Sequence, residues 1–424
     1  MASYFPRIVD TELDQLFPGL AAISLEGPKG VGKTATANRR AATVFAMDVL
    51  ADRELLKADP GRLDRAVTPI LIDEWQREPS VWDLVRRSVD RDPQPARFLL
   101  TGSATPVQAP THSGAGRIVQ VRMRPMSLAE RALCAPTVSL AAMLSGDHPA
   151  VEGSSPLTLV EYAEEIVRSG FPAIRGMPAR ARRAQLDGYL ARIVERDFPE
   201  QGYLVRRPAT LRSWLAAYAS ASATTSAYNV ILDAATPGDS DKPSKTTTIG
   251  YRDVLTQLWL LDPVPGWLPG CSAFSRLGSA PKHHLADPAL AARLLRAEVP
   301  ALLDDSMVGP AVPRKGALLG ALFESLVTLS ARTYAQAAEA EVYHLRTRNG
   351  DHEIDLIIER DDHRVVALEV KLAASVTDAD VVHLTWLRNR LGVDLLDAAV
   401  ITTGTHAYRR PDGIAVIPAA LLGP

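Results

Sequence analysis

The sequence of 424 residues predicts an α/β protein of several domains, and three observations support this class. A glycine-rich loop over residues 27–34 stands between an apolar strand and an Ala-rich helix. Short apolar strands alternate with helical stretches as far as residue 124, a pattern typical of a parallel sheet covered by helices. A second unit with the order helix, three strands, helix and strand follows between about 300 and 424. The chain is therefore expected to form about two to four domains.

Bulk composition excludes several classes of protein. The chain is 46 % hydrophobic and 23 % charged, with a net charge of −2, so it has no overall basic field to attract nucleic acid. Its two cysteines are too few for a disulfide framework or a structural zinc site. No apolar run reaches the roughly 18 residues that a membrane span requires, and the first residues do not resemble a signal peptide. We therefore expect a cytoplasmic protein with no membrane partner.

The first strand leads into GPKGVGKT, which fits the phosphate-binding pattern GxxxxGK[ST] of a P-loop. In this pattern the glycines let backbone N–H groups point at the phosphates. Lys33 is expected to reach the β- and γ-phosphates, and Thr34 to bind Mg²⁺ through its hydroxyl. The helix after the loop places its N-terminus behind the phosphates. The predicted nucleotide-binding residues are Gly27, Pro28, Lys29, Gly30, Val31, Gly32, Lys33 and Thr34.

Polar side chains end two further strands of this unit. Asp73 and Glu74 follow a buried strand, and ligands of parallel sheets lie at the carboxyl ends of the strands. We expect Asp73 to hold Mg²⁺ and Glu74 to polarise the attacking water. Thr101 and Ser103, at the end of the next strand, either contact the γ-phosphate or only form a turn. The strands predicted for this sheet are 21–25, 44–49, 69–74, 97–101 and 118–123.

The second unit has a group of charged residues on adjacent predicted strands. Asp355 lies on one strand, and Glu369 and Lys371 lie on one face of the next. Since neighbouring strands are about 4.8 Å apart, the three side chains are expected to converge. Two carboxylates can hold Mg²⁺ against a phosphate, and a lysine beside them can orient the attacking water.

The stretch between the two units predicts three helices followed by a Pro-rich turn and short strands, the order of a winged helix. The third helix, from Lys245 to Leu261, stands in the recognition position. Its basic face is thin, so the domain fits a protein–protein module as well as a DNA-binding one. The residues expected to face DNA are Lys245, Thr246, Thr247, Tyr251 and Arg252.

Together, the P-loop, the strand ending Asp-Glu and the strand ending Thr-Gly-Ser resemble an AAA-type ATPase. They resemble in particular the bacterial and archaeal ATPases that carry a C-terminal domain of unknown function. The resemblance implies Mg-ATP binding, a helical lid and a homo-oligomer in which a neighbour's arginine completes the site. Arg117 is the first candidate for that arginine, and Arg122 and Arg124 are its rivals. The stretches that carry the resemblance are GPKGVGKT, LIDEWQ, FLLTGSA, GRIVQVRMRPMS, SGFPA, YLARIVERDF and PKHHLADPAL.

The element order and the D…ExK spacing of the second unit look like the PD-(D/E)xK nuclease fold. This resemblance implies that Glu324, on the preceding helix, is an additional metal ligand. A competent nuclease, an inactive interaction domain and an unrelated fold all stay open. The predicted catalytic residues are Lys33, Glu74, Arg117, Asp355, Glu369 and Lys371, and the predicted metal ligands are Thr34, Asp73, Glu324, Asp355 and Glu369.

The predicted fold is α/β, with an AAA-type P-loop core and a restriction-endonuclease-like C-terminal domain. The predicted function is an ATPase that binds Mg-ATP and acts as a nucleotide-driven switch or remodeller on a DNA or protein partner. The alternatives are an ATP-gated, metal-dependent nuclease and a nucleotide-responsive DNA-binding regulator. The predicted domains are the core at 1–125, a helical lid at 126–205, a winged-helix-like domain at 206–295 and the nuclease-like domain at 296–424.

Overall fold

A sheet of parallel strands forms the centre of the N-terminal domain. The computed structural model describes residues 4–106, 113–235, 243–267, 280–304, 315–347 and 350–424. Within these ranges the sheet has five strands in the order β2-β3-β4-β1-β5, which confirms an α/β protein with a parallel-sheet core. The strands are β1 (Ala22–Glu26), β2 (Thr43–Ala46), β3 (Ile70–Asp73), β4 (Phe98–Gly102) and β5 (Ile118–Arg122).

The strand order positions the predicted site. Helices cover the sheet, and β1, β3 and β4 are buried nearly throughout, as their runs of aliphatic residues require. Because β4 lies between β1 and β3, the P-loop after β1 and the acidic end of β3 meet on either side of Thr101. The helices of this domain are α1 (Ile8–Leu16), α2 (Lys33–Asn38), α3 (Leu50–Ala58), α4 (Arg62–Arg65) and α5 (Ser80–Arg91).

A largely helical region follows the sheet. Its longest helix, α9, continues into a π-helical turn at Ile193–Asp197. Thr158 and Glu161 form a capping box that starts α7, since each side chain accepts from the other's backbone N–H. The elements are β6 (Val138–Ser139), α6 (Leu140–Ser145), α7 (Leu159–Arg168), α8 (Pro172–Arg175), α9 (Ala179–Arg192) and α10 (Phe198–Glu200).

The next region contains α11 (Pro208–Ser220), α12 (Tyr228–Ala235) and α13 (Lys245–Gln257). Antiparallel bridges then join Leu261 to Leu285 and Val264 to Lys282. We call these paired segments, 261–264 and 282–285, the Lys282 ladder. Residues 268–279, where part of the Pro-rich turn and the short strands were predicted, lie outside the described ranges.

One residue of the predicted DNA-facing set is placed inside the protein. Tyr251 is only 4 % exposed and packs edge-to-face against Phe198 and Trp214. The assignment of Tyr251 to a DNA surface is therefore wrong, because the aromatic side of α13 faces the core. Lys245 and Thr246 are exposed.

The C-terminal domain is a mixed sheet covered by helices on both faces. Its described strands run in the order β12-β13-β11-β10-β9-β8-β7, with β9 antiparallel to both of its neighbours, β8 and β10, and β11 parallel to β10. None of the helices in the described ranges has the length and apolar character to cross a membrane. The helices are α14 (Pro288–Leu294), α15 (Val299–Leu303), α16 (Lys315–Ala337) and α17 (Val382–Leu391). The strands are β7 (Gly266–Trp267), β8 (Glu341–Arg346), β9 (Glu353–Glu359), β10 (Val365–Lys371), β11 (Leu395–Thr402), β12 (Tyr408–Arg409), β13 (Ala415–Pro418) and β14 (Leu422–Gly423).

The start of the predicted lid belongs with the C-terminal domain. β6 pairs in parallel with β14 at the end of the chain, and α6 packs against β10, β11 and α16. Ser155 and Gly153 also exchange backbone hydrogen bonds with Thr405 and Ala407. Residues 138–155 therefore do not cover the P-loop, and that position is taken by the later helices α8 to α10.

Candidate nucleotide site and C-terminal charged cluster

The P-loop wraps around the ammonium group of Lys33. The loop leaves β1 at Gly27, where a Cβ atom would lie 2.1 Å from the carbonyl oxygen of Met123, so only glycine fits this close approach. Lys33 is buried, and its Nζ donates to the carbonyl oxygens of Gly27 (2.7 Å) and Pro28 (3.0 Å). The loop is therefore closed around the lysine that was predicted to bind phosphate.

Burial also changes the pKa of this lysine. It lowers the pKa of Lys33 to about 8, while the nearby carboxylates of Glu74, Glu26 and Asp73 act in the opposite direction. The side chain is still an ammonium at neutral pH. A desolvated cation surrounded by backbone carbonyls gains a stronger counter-charge when a phosphate enters, which favours phosphate binding here.

A hydrogen-bonded chain joins the P-loop to the ends of β3 and β4. Thr34 Oγ1 donates to Asp73 Oδ1 at 2.7 Å, and the Thr101 hydroxyl donates to the same oxygen. Thr101 Oγ1 also accepts from the backbone N–H of Glu74 at 3.1 Å. Thr101 thus holds Asp73 and Glu74 in place, so in this structure its hydroxyl is hydrogen-bonded within the group of carboxylates.

Glu74 sits in a strained and well-supported position. Its φ of 54° is in the left-handed region, which a non-glycine residue occupies only where the surroundings enforce it, often at functional sites. Its Oε2 accepts from Ser103 Oγ (2.8 Å) and Gln76 Nε2 (2.6 Å). Both predicted carboxylates and both predicted hydroxyls therefore meet at the carboxyl edge of the sheet.

A buried glutamate beside this edge was not predicted. Glu26 ends β1 and is 3 % exposed, and Ser24 Oγ and Trp75 Nε1 donate to its Oε1 at 2.5 and 3.2 Å. Burial raises the pKa of Glu26. The sequence feature that could have indicated this residue is a carboxylate at the end of a mainly apolar strand, directly before the P-loop.

Arg7 supports the P-loop from the N-terminal helix. Its Nη1 donates to the carbonyl oxygen of Val31 at 2.7 Å, and its Nε pairs with Glu130 Oε1 at 3.0 Å. Both charged side chains are buried, so the pair fixes the back of the loop. Nothing in the local sequence around Arg7 indicated this role.

The later part of the predicted lid contacts the P-loop through Lys29. Its Nζ pairs with Asp197 Oδ1 at 2.6 Å, and its backbone carbonyl accepts from Tyr189 Oη at 3.2 Å. Arg77 pairs with Glu200 at 3.2 Å on the same side. A cavity of about 320 Å³ lies between these ion pairs and the end of β4. Residues of the segment 197–202 therefore line a cavity that extends from Lys29 of the P-loop to Ser103.

The three candidates for a donated arginine have different surroundings. Arg117 precedes the edge strand β5, is 47 % exposed in its side chain and pairs with Asp90 at 2.8 Å. Arg122 and Arg124 instead pair with the buried carboxylate of Asp262, at 3.1 and 2.9 Å. Of the three, Arg117 alone is free to reach a neighbouring molecule without breaking a buried ion pair.

In the C-terminal domain, a lysine that was not predicted lies within the charged cluster. Lys282 is 1 % exposed, and its Nζ lies 2.8 Å from Glu324 Oε1 and 2.9 Å from Asp355 Oδ1. Glu353 Oε1 is 3.5 Å from the same nitrogen. Lys282 belongs to the stretch PKHHLADPAL, which contributes to the family resemblance but for which the sequence indicated no functional role.

The other predicted residues of the cluster also have internal partners. The backbone N–H of Val370 donates to Asp355 Oδ2 at 2.8 Å, and Lys371 Nζ pairs with Glu369 Oε1 at 2.7 Å. Burial and the charge of Asp355 raise the pKa of Glu324 and of Glu369 to about 8. Although burial acts to raise it, the pKa of Asp355 is lowered, chiefly by Lys282.

The metal site predicted from Glu324, Asp355 and Glu369 does not form. Across the described ranges, no group of three or more His, Cys, Asp or Glu side chains is placed to hold a metal ion. The physical reason is that an ammonium group already bridges two of the three carboxylates. Glu324 and Asp355 do come together, but around Lys282, while Glu369 pairs with Lys371.

Comparison with protein families supports the N-terminal assignment. Residues 21–132 match the family described as an AAA domain. This match supports the AAA-type core predicted from the sequence and ATP binding by its P-loop. Residues 159–301 and 319–422 match two domains of unknown function, DUF8612 and DUF4143. Neither description names a winged helix or a nuclease.

Two curated relatives align with nearly the whole chain. They are the uncharacterized proteins Rv2008c of Mycobacterium tuberculosis and Mb2031c of Mycobacterium bovis, each 26 % identical over 412 residues. The alignment covers 94 % of this chain and 80 % of each relative. Among solved structures, the ORC2 protein of Aeropyrum pernix in its ADPNP-ADP complexes is 16 % identical, with a TM-score of 0.27 over 68 % of this chain and 90 % of that one. A likeness this weak adds nothing to the family match.

Proposed function

We propose that this chain hydrolyses Mg-ATP in its N-terminal domain and acts as a nucleotide-driven switch on a protein or DNA partner. The observation that carries the proposal is the hydrogen-bonded chain Thr34–Asp73–Thr101–Glu74 beside the P-loop. It brings together the residue types that ATP hydrolysis requires: a phosphate-binding lysine, a hydroxyl and carboxylate for the metal, and a second carboxylate for water.

The donor set fits Mg-ATP. A threonine hydroxyl and a carboxylate 2.7 Å apart are hard oxygen ligands of the kind that Mg²⁺ prefers, and the ion keeps further positions for phosphate and water. When bound, Mg²⁺ would neutralise charge on the phosphates. Lys33 would bind the phosphates, Asp73 would hold the metal, and Glu74 would accept a proton from the attacking water.

Two contacts offer a route from the nucleotide site to the rest of the chain. The backbone N–H of Thr105, just after β4, donates to the carbonyl of Gln257 at the end of α13, at 3.1 Å. Arg122, at the end of β5, pairs with Asp262 in the Lys282 ladder. We propose that a shift at the end of the sheet moves α13 and the ladder with it.

A divalent-metal nuclease is not part of this proposal, since Glu324 and Asp355 are bridged by Lys282. The proposal includes either a protein or a DNA partner. The exposed basic surface of α13 is small and includes Lys245, so it does not by itself favour DNA. Adding DNA to the ATPase assay separates the two: contacts to DNA phosphates would produce stimulation that falls steeply with salt.

Glu74→Gln tests the enzyme assignment. The variant is expected to retain ATP binding and to lose about 10²–10⁴-fold in hydrolysis rate, because an amide cannot accept the proton of the attacking water. The checks are phosphate release and titration with a fluorescent ATP analogue. Glu78→Gln is the matched control, since Glu78 lies in the same segment and pairs with Lys57 at 2.9 Å. Hydrolysis at the wild-type rate in Glu74→Gln would exclude Glu74 as the base.

Arg117→Ala tests whether the active form is an oligomer. If a neighbour's Arg117 completes the site, the specific ATPase rate of the wild type should rise with protein concentration, since a donated arginine is worth about 10³–10⁵ in rate. The rise should vanish in the variant, while ATP affinity stays the same. Arg91→Ala is a suitable control, because Arg91 is an exposed arginine paired with Asp64. A wild-type rate that is independent of concentration would contradict the oligomer.

A further inference from the structure

The charged cluster of the C-terminal domain contains a cationic side chain, that of Lys282. The Lys282 ammonium contacts one oxygen each of Glu324 and Asp355 and lies within 4 Å of Glu353. These are short, charge-assisted contacts, and the lysine that makes them is only 1 % exposed. We infer that the Lys282 ammonium takes the place of a divalent cation between Glu324 and Asp355, so that the domain is complete without a metal.

Lys282 is held in this position by its backbone as well as by its charge. Its N–H and C=O both pair with Val264 across the Lys282 ladder, each at 2.9 Å. Two residues later, His284 Nδ1 lies 2.9 Å from Ser325 Oγ, next to Glu324 on α16. The ladder is therefore anchored on both sides of the ammonium, which makes Lys282 a fixed part of the site.

A divalent ion cannot share these oxygens with the lysine. Mg²⁺ and Ca²⁺ bind oxygen at about 2.0–2.6 Å, so an ion bridging Glu324 and Asp355 would lie next to the ammonium. Two further oxygens of the cluster are also hydrogen-bonded, since Asp355 Oδ2 accepts from the backbone N–H of Val370 and Glu369 Oε1 accepts from Lys371. Glu369 Oε2 is buried without a hydrogen-bond partner in the described structure, but a single oxygen does not make a metal site.

The inference makes a direct prediction for metal binding by the full chain without nucleotide. Titration with Mn²⁺, followed by the electron paramagnetic resonance signal of the free ion, should give the same number of bound ions for the wild type and for Asp355→Asn. An additional Mn²⁺ bound by the wild type and lost in Asp355→Asn would overturn the inference. This comparison does not depend on any change at Lys282.

Removing the ammonium should create the site that it replaces. We expect Lys282→Ser to bind one more Mn²⁺ per chain than the wild type, and the double variant Lys282→Ser/Asp355→Asn to lose that ion again. Lys371→Ser is the matched control, since it removes a lysine that pairs with Glu369 and leaves Lys282 in place. A folded Lys282→Ser variant without the additional ion would overturn the inference. If that variant does not fold, the wild-type comparison decides, and neither result depends on ATP hydrolysis.

Discussion

Replacing Lys33 with alanine is expected to reduce ATP affinity by about 10²–10⁴-fold. The estimate assumes two lost hydrogen bonds from a charged group to the β- and γ-phosphates, at about 1.5–3 kcal/mol each. The loop itself should keep its shape, because Arg7 holds it from behind through Val31. Isothermal titration with ATP or a fluorescent analogue, in the presence of Mg²⁺, measures the effect.

The P-loop contains its own control residue. Lys29 belongs to the same loop, but its ammonium pairs with Asp197 at 2.6 Å and is partly exposed. Lys29→Ala should therefore leave ATP affinity within about fivefold of the wild type, since a partly exposed ion pair contributes at most about 1 kcal/mol. Unchanged affinity in Lys33→Ala would end the proposed nucleotide site. An equal loss in both variants would instead indicate general damage to the loop.

The residues of the proposed nucleotide site could be brought together from the sequence because each follows a local rule. Thr34 and Asp73 are 39 residues apart, yet both follow strands of one parallel sheet, and the carboxyl ends of such strands share an edge. The predicted strand limits are within one or two residues of those observed, except for the second. That strand ends at Ala46 and not at residue 49, because the chain turns there and the N–H of Ala46 donates to Asp52.

The same kind of reasoning predicted only part of the C-terminal cluster. Alternation along two strands was enough to bring Asp355 and Glu369 together. Lys282 comes from another region, 42 residues before Glu324 and 73 before Asp355, and reaches them only when the ladder docks on the sheet. No periodicity encodes that docking. A pattern of acidic residues therefore predicts where a cation is bound, but not whether it is a metal or a lysine.

The orientation of individual side chains and the presence of very short strands could not be predicted from the sequence either. Tyr251 occurs in an amphipathic helix with polar neighbours, and only its packing against Trp214 and Phe198 shows that it faces inward. β6 and β14 have two residues each, too few for an alternating pattern, and they join parts of the chain almost 300 residues apart. The sequence therefore could not show that residues 138–155, within the predicted lid, pair with the end of the chain.

Asp262→Asn should be among the most destabilising single substitutions in the chain. Asp262 is 5 % exposed and pairs with three arginines: Arg122 and Arg124 of the N-terminal domain and Arg332 of α16, at 2.9–3.1 Å. Asparagine preserves the volume but leaves three guanidinium groups without their counter-charge. Loss of one partner from a buried ionic group costs about 3–5 kcal/mol, which corresponds to a fall in Tm of roughly 5–10 °C.

The pH dependence gives this prediction a second readout with a definite sign. Although burial acts to raise it, the three arginines hold the pKa of Asp262 well below its ordinary value. The stabilising charge is therefore present at pH values above about 4, where the unfolded chain's aspartate titrates, and is lost as the pH falls towards the folded-state value. Thermal unfolding measured at several pH values from 7 down to about 2 should show a constant stability difference between wild type and variant above about pH 4, and a shrinking one below it. Asp253→Asn, at an exposed position on α13, should change stability by no more than about 0.5 kcal/mol. A similar small change in Asp262→Asn would mean that this carboxylate does not join the N-terminal domain to α16.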